Sequence, residues 1–197
     1  ELMNRPAARW GRVFLLSMVA GVLTGLAAAG LFWALRYGSE HIIGRAVDPS
    51  GDHLLVFNWG TLFLPALGGL VSGLIVRAFR AEGGSHGTNE YIASFHHQGG
   101  RMPLRNPAIK AICAVGVISC GGSAGPEGPT AALGAAIGSS LGRRMGVPPA
   151  VIRQLLIAGC AGGVGAVFQC PLGGALCAAS VLYWDPEFEA TGIVPAL

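Results

Sequence analysis

Residues Gly121 to Pro129 read Gly-Gly-Ser-Ala-Gly-Pro-Glu-Gly-Pro, and they put one acidic residue, Glu127, at the start of a helix-compatible run inside the most apolar stretch of the chain. The run continues from Pro126 through Thr130 and a string of small residues to Arg143 and Arg144. Proline suits a first-turn position, and a basic pair suits a helix C-terminus. The first N–H groups of such a helix have no partner within it and attract anions. A carboxylate placed there can occupy the anion's position itself. On a soluble helix Glu127 would read as an acid that merely offsets the macrodipole. Inside a membrane span the balance reverses, because buried ionisable groups are expensive there and mark function.

The elements that must carry this acid are set by an unusual composition. Of 197 residues, 52% are hydrophobic and only 12% charged, about half the charged share of a soluble domain. Glycine accounts for 32 residues without a collagen period, which fits helices packed closely in a membrane. The net charge of +3 is small and scattered, and excludes a nucleic-acid surface. Cys113, Cys120, Cys160, Cys170 and Cys177 have no C-x-x-C spacing and read as small buried residues, not as disulfides or a zinc site. His96 and His97 are adjacent and would point to different helix faces, so no metal site is expected, nor any cofactor.

A first span is expected from about Val13 to Tyr37, and Arg5, Arg9 and Arg12 before it place the N-terminus in the cytoplasm. No cleavable signal peptide is evident, since this run is longer than an h-region. A polar loop is expected over His41 to His53, then a second span from Leu54 to Phe79, kinked near Pro65 and closed by Arg77 and Arg80. Two short runs follow, Thr88 to His97 and Asn106 to Cys120, each too short for a straight span. Interrupted segments of this kind point to a site built from broken helices near the midplane. Further helical runs are expected at Pro149 to Phe168 and Leu172 to Trp184.

The Gly121–Pro129 segment, with the small-residue helix after it, resembles the signature of the CLC chloride channels and proton-coupled anion antiporters: Gly, a basic residue, Glu, Gly, Pro. The run from Ala161 to Leu176, containing Phe168, Pro171 and Leu172, is similar to a later motif of that family. Gly84-Ser85-His86-Gly87-Thr88 falls where the family has Gly-Ser-Gly-Ile-Pro, a looser match. The resemblance implies an all-α membrane protein, a multi-helix bundle with broken and half-spanning helices, in which residues 1–197 are the first of two inverted repeats. It implies passage of chloride or a similar small anion, gated by Glu127. The expected anion ligands are Ser85, His86 and Gly87, with Gly125, Pro126 and Gly128 of the signature. The second repeat of the same protein would complete the pore, and the complete subunit would be a homodimer in a bacterial inner membrane.

Three positions depart from the family pattern. Pro126 replaces the basic residue before the gate, removing a charge and a backbone donor. His86-Gly87-Thr88 replaces Gly-Ile-Pro. Counting from Pro171-Leu172, the position that carries an internal proton-transfer Glu in coupled antiporters is Val181, which cannot hold a proton. The expectation is therefore channel-like conduction. The alternatives are an antiporter with a different proton path, for which Glu90, His86, His96 and His97 are available, or a non-transporting assembly module. An intramembrane acid argues against the last, since packing needs small residues and no acid. No enzymatic role is expected, because Walker and Rossmann spacings do not occur.

Overall fold

The computed structural model describes residues 6–46, 59–79 and 87–182. Seven helices are found among them, and no strand. They are α1 (Pro6–Ala46), α2 (Trp59–Ala78), α3 (Gly87–His97), α4 (Arg105–Ser119), α5 (Glu127–Arg144), α6 (Pro149–Phe168) and α7 (Pro171–Ser180). At 1.5 Å per residue, α3 and α7 are about 15 Å long and α4 about 22 Å, short of the ~30 Å hydrocarbon core. Helices α3 and α4 are the two short runs expected from the sequence, and α7 is a third. By length and apolar composition, the segments Trp10–Ile43 and Pro149–Phe168 suffice to cross a bilayer.

The centre of the bundle is α6, which packs against α1, α5 and α7. Leu155, Leu156, Ile157, Cys160, Ala161 and Val164 along it are buried. Its closest partner is α5, because small residues recur every fourth position on both helices. A Cβ added at Gly134 would strike the Gly159 carbonyl, and one at Gly159 would strike the Gly134 carbonyl. The two backbones are therefore in direct contact, as small-residue seams permit in membranes. In contrast, the outer face of α1 exposes Phe14, Leu15, Val22, Leu26, Phe32 and Trp33.

Polar stitches join the shorter helices. Ser72 Oγ of α2 donates to the Cys113 carbonyl of α4 at 3.1 Å, and Tyr91 Oη of α3 donates to the Ala178 carbonyl of α7 at 2.9 Å. Ser139 Oγ of α5 donates to the Gly100 carbonyl at 2.7 Å and accepts from Met102 N at 2.8 Å.

Three expectations need correction. His41 to Ala46 are helical, not loop, and His41 Nδ1 lies 2.9 Å from the Tyr37 carbonyl. The remainder of that loop lies outside the described residues. Helix α7 ends at Ser180, four residues before the expected Trp184, with Val181 as its C-cap. All five cysteines are free, but only Cys113 and Cys160 are buried, whereas Cys170 and Cys177 are exposed. Cys170 has a local reason to be where it is: its Sγ accepts from Gly173 N at 3.3 Å and so caps α7.

Candidate functional site

The start of α5 is held by backbone chemistry. Pro126 is its N-cap, one residue before the first-turn position expected for it. The Pro126 carbonyl accepts from Thr130 N at 3.0 Å and from Thr130 Oγ1 at 2.7 Å, and Thr130 is buried. Pro126 and Pro129 have no N–H, so the free donors of this turn come from Glu127 and Gly128. At Gly128 a Cβ would meet nothing within 4 Å, so the backbone there is open.

The Glu127 side chain is exposed and turns back over the preceding loop. A Cβ on Gly125 would collide with its carboxylate. The acid therefore lies on the N-terminal side of its own helix, in space that exists because residue 125 has no side chain. An ionised carboxylate there competes for the same donors that would hold an anion, whereas a protonated one does not.

Of the second expected cluster, Gly87 is the first residue of α3, and Ser85 and His86 lie outside the described residues. Helix α3 packs against α5, and just past the end of α3 the Gly100 carbonyl accepts from Ser139 Oγ of α5.

Glu90, expected to be available for proton transfer, is instead paired. Its Oε2 lies 3.0 Å from Lys110 Nζ of α4, with only 12% and 16% of the two side chains exposed. The sequence reading did not single out Lys110. Its signal was a lone cation in the apolar run after Asn106.

At the opposite end of α7, Val181 is partly exposed, and Ser180 Oγ donates to the Cys177 carbonyl at 3.1 Å. The His96 imidazole reaches this end from α3, with Nε2 3.0 Å from the Leu182 carbonyl. A carbonyl only accepts, so Nε2 carries the proton and Nδ1 is left as an acceptor in the neutral ring. The imidazole therefore meets the backbone of Leu182, the residue after Val181, from 86 residues away.

The same end of the bundle gathers basic residues. Arg105 Nη2 donates to the Phe79 carbonyl at 2.7 Å, Arg143 Nη2 to the Met102 carbonyl at 3.3 Å, and the Arg153 guanidinium lies over the Phe95 ring at 5.7 Å. These contacts place the ends of α2, α3, α5 and α7 beside the starts of α4 and α6.

Residues 68–197 match the family described as voltage gated chloride channel. Two proteins named "Voltage-gated ClC-type chloride channel ClcB", from Escherichia coli O139:H28 and Shigella boydii serotype 18, are each 27% identical over 193 residues. The match covers 93% of this chain and 44% of each relative, so the chain spans less than half their length. The fold agrees with a solved structure described as a slow cyanobacterial Cl⁻/H⁺ antiporter, at TM-score 0.68 and 21% identity. That likeness covers 94% of this chain and 45% of the other.

Proposed function

The chain belongs to the voltage-gated chloride channel family, and on that premise we propose that it forms the first half of a pathway carrying chloride or a similar small anion across a bilayer, gated by Glu127. Family membership makes it an integral membrane protein. The observation that carries the proposal is the Glu127 carboxylate folded over Gly125 at the open start of α5. Helix N-termini with hydroxyl and amide donors stabilise a dehydrated anion without a full cation to trap it, and conduction needs binding weak enough to release. Ser85, His86 and Gly87 would approach the ion from α3, and Gly125, Pro126 and Gly128 from α5. The opposite faces of the ion would be met by the second repeat of the same protein, and the complete subunits would pair as a homodimer. The basic end of the bundle, with Arg77, Arg101, Arg105, Arg143, Arg144 and Arg153, faces the cytoplasm in this reading, consistent with an N-terminus inside and a bacterial inner membrane.

Val181 favours uncoupled conduction, because no acid stands at the internal proton position. The test is anion flux from liposomes holding the complete protein, measured against external pH. Protonation of Glu127 should raise flux as pH falls, and Glu127→Gln should be open throughout with little further response. An unchanged pH response in Glu127→Gln removes Glu127 from the gate.

One observation favours a second reading, exchange of anion for protons: the His96 imidazole lies on the Leu182 carbonyl, one residue past the position where the usual acid is missing. Proton movement recorded in the same liposomes separates the two. A chloride gradient that drives protons uphill, and that fails to do so after His96→Gln, selects exchange.

A further inference from the structure

Between α1 and α5 lies an open groove of about 510 Å³, lined by Leu23, Leu104, Ile137, Leu141 and, at one end, Arg143 and Arg144. We propose that it seats an anionic phospholipid of the bilayer, its phosphate on the two guanidiniums and one acyl chain along the leucine and isoleucine side chains. The proposal is independent of what the pathway carries.

The polarity of the groove matches that occupant in order and in length. From Arg144 back to Ile137 is seven residues of helix, about 10 Å, so charge at the α5 terminus gives way to apolar lining two turns deeper. That is the sequence of environments a lipid meets between its headgroup and its upper acyl chain. The volume lies within the range that encloses a drug-sized organic ligand. Leu23 comes from α1, whose outer face exposes Phe14, Val22 and Leu26, so the groove opens beside an exposed apolar face.

The charge is arranged for a phosphate. Arg143 uses Nη2 on the Met102 carbonyl and on Ser140 Oγ, which fixes the guanidinium in place and leaves its other N–H groups to donate. Arg144 is adjacent and exposed. Planar guanidiniums pair with phosphate oxygens through parallel hydrogen bonds, and basic pockets between membrane helices on the cytoplasmic side hold acidic headgroups. Arg105 follows Leu104 at the groove edge, so a third cation adds to the local field. Among the described residues, no Asp or Glu lines the groove to oppose it.

Native mass spectrometry of the complete protein in detergent, titrated with phosphatidylglycerol or with phosphatidylcholine of the same chains, tests this directly. At the strength of a basic residue near an anionic surface, two arginines give a preference for phosphatidylglycerol of about thirtyfold. Arg144→Gln should reduce that preference about fivefold without touching a buried contact, and Arg143→Gln with Arg144→Gln should abolish it. Ile137→Trp, which fills the groove and keeps both cations, should lose retention of the lipid. Arg77→Gln, on the same basic end but outside the groove, should change nothing. Equal retention of the two lipids, or full retention in the double variant, overturns the proposal. So does competition by glycerol phosphate at matched concentration, which would mean a site for free phosphate. Loss of a dimer in Ile137→Trp with no lipid bound at any stage would assign the groove to a second copy and equally overturn it.

Discussion

Adding one methyl group to Gly163 should push the first turn of α5 away from α6. A Cβ there lies 2.6 Å from the Thr130 carbonyl oxygen and 3.2 Å from its carbon. Cβ contacts essentially never fall below 3.0 Å and become ordinary only from 3.4 Å, so the two helices must part by about 0.4–0.8 Å. The obstacle is backbone, with no rotamer to escape into. Overpacking of this kind costs about 1–3 kcal/mol, against which alanine gains about 1 kcal/mol of helix propensity. The gain can be cancelled with a control. At Gly25 of α1 an added Cβ meets nothing within 4 Å, so Gly25→Ala has the propensity gain alone.

The difference in unfolding free energy between Gly163→Ala and Gly25→Ala isolates the contact, and should be about 1–3 kcal/mol in favour of Gly25→Ala, or roughly 5- to 150-fold in the folded-to-unfolded ratio. Equilibrium unfolding of the purified protein in mixed micelles, followed by circular dichroism, measures it. Because Thr130 Oγ1 donates to the Pro126 and Glu127 carbonyls, the displaced turn carries Glu127 with it, and the pH response of flux should shift in the same variant. Gly163→Ala at least as stable as Gly25→Ala would refute the backbone contact and the coupling built on it.

Gly125→Ala puts a methyl group where the Glu127 carboxylate rests, so flux at neutral pH should rise toward that of Glu127→Gln while the acid is still present, as liposome flux would show. Lys110→Met strands the Glu90 carboxylate between α3 and α4 and should destabilise the protein by about 3 kcal/mol in the same unfolding assay, with much of the loss recovered by adding Glu90→Gln. Residues 1–197 reconstituted alone should give no anion flux above empty liposomes, since two helix N-termini leave one side of a dehydrated ion without donors; coexpression with the second repeat should restore it.

The short helices were legible because their ends are punctuated. Gly99-Gly100 and Cys120-Gly121 stop α3 and α4 within one residue of the expected ends, and Gly99, Gly100 and Gly121 all take positive φ. The end of α1 was not legible, because polarity stood in for a stop signal. Beyond the apolar run, Arg36 pairs with Glu40 at 2.9 Å and the Tyr37 and His41 rings lie 4.0 Å apart, so one helical face continues in polar residues. The Glu127 position could be read from its loop, but the resting place of its carboxylate could not, since a rotamer is set by what surrounds it. Likewise Lys110 and His96 act on groups 20 and 86 residues away, and no local pattern relates a residue to a partner on another helix.

The glycine content bears directly on the proposed gate. Where Gly134, Gly159 and Gly163 let α5 and α6 touch through backbone, the position of the α5 start is set by peptide geometry and not by side chains that can repack. Thr130 and the two prolines then fix which N–H groups face outward. Around so rigid a turn, the group free to change place is the Glu127 side chain, over a residue with no side chain of its own. In the proposed gate, a proton on that one carboxylate would alter the site without repacking the α5–α6 seam.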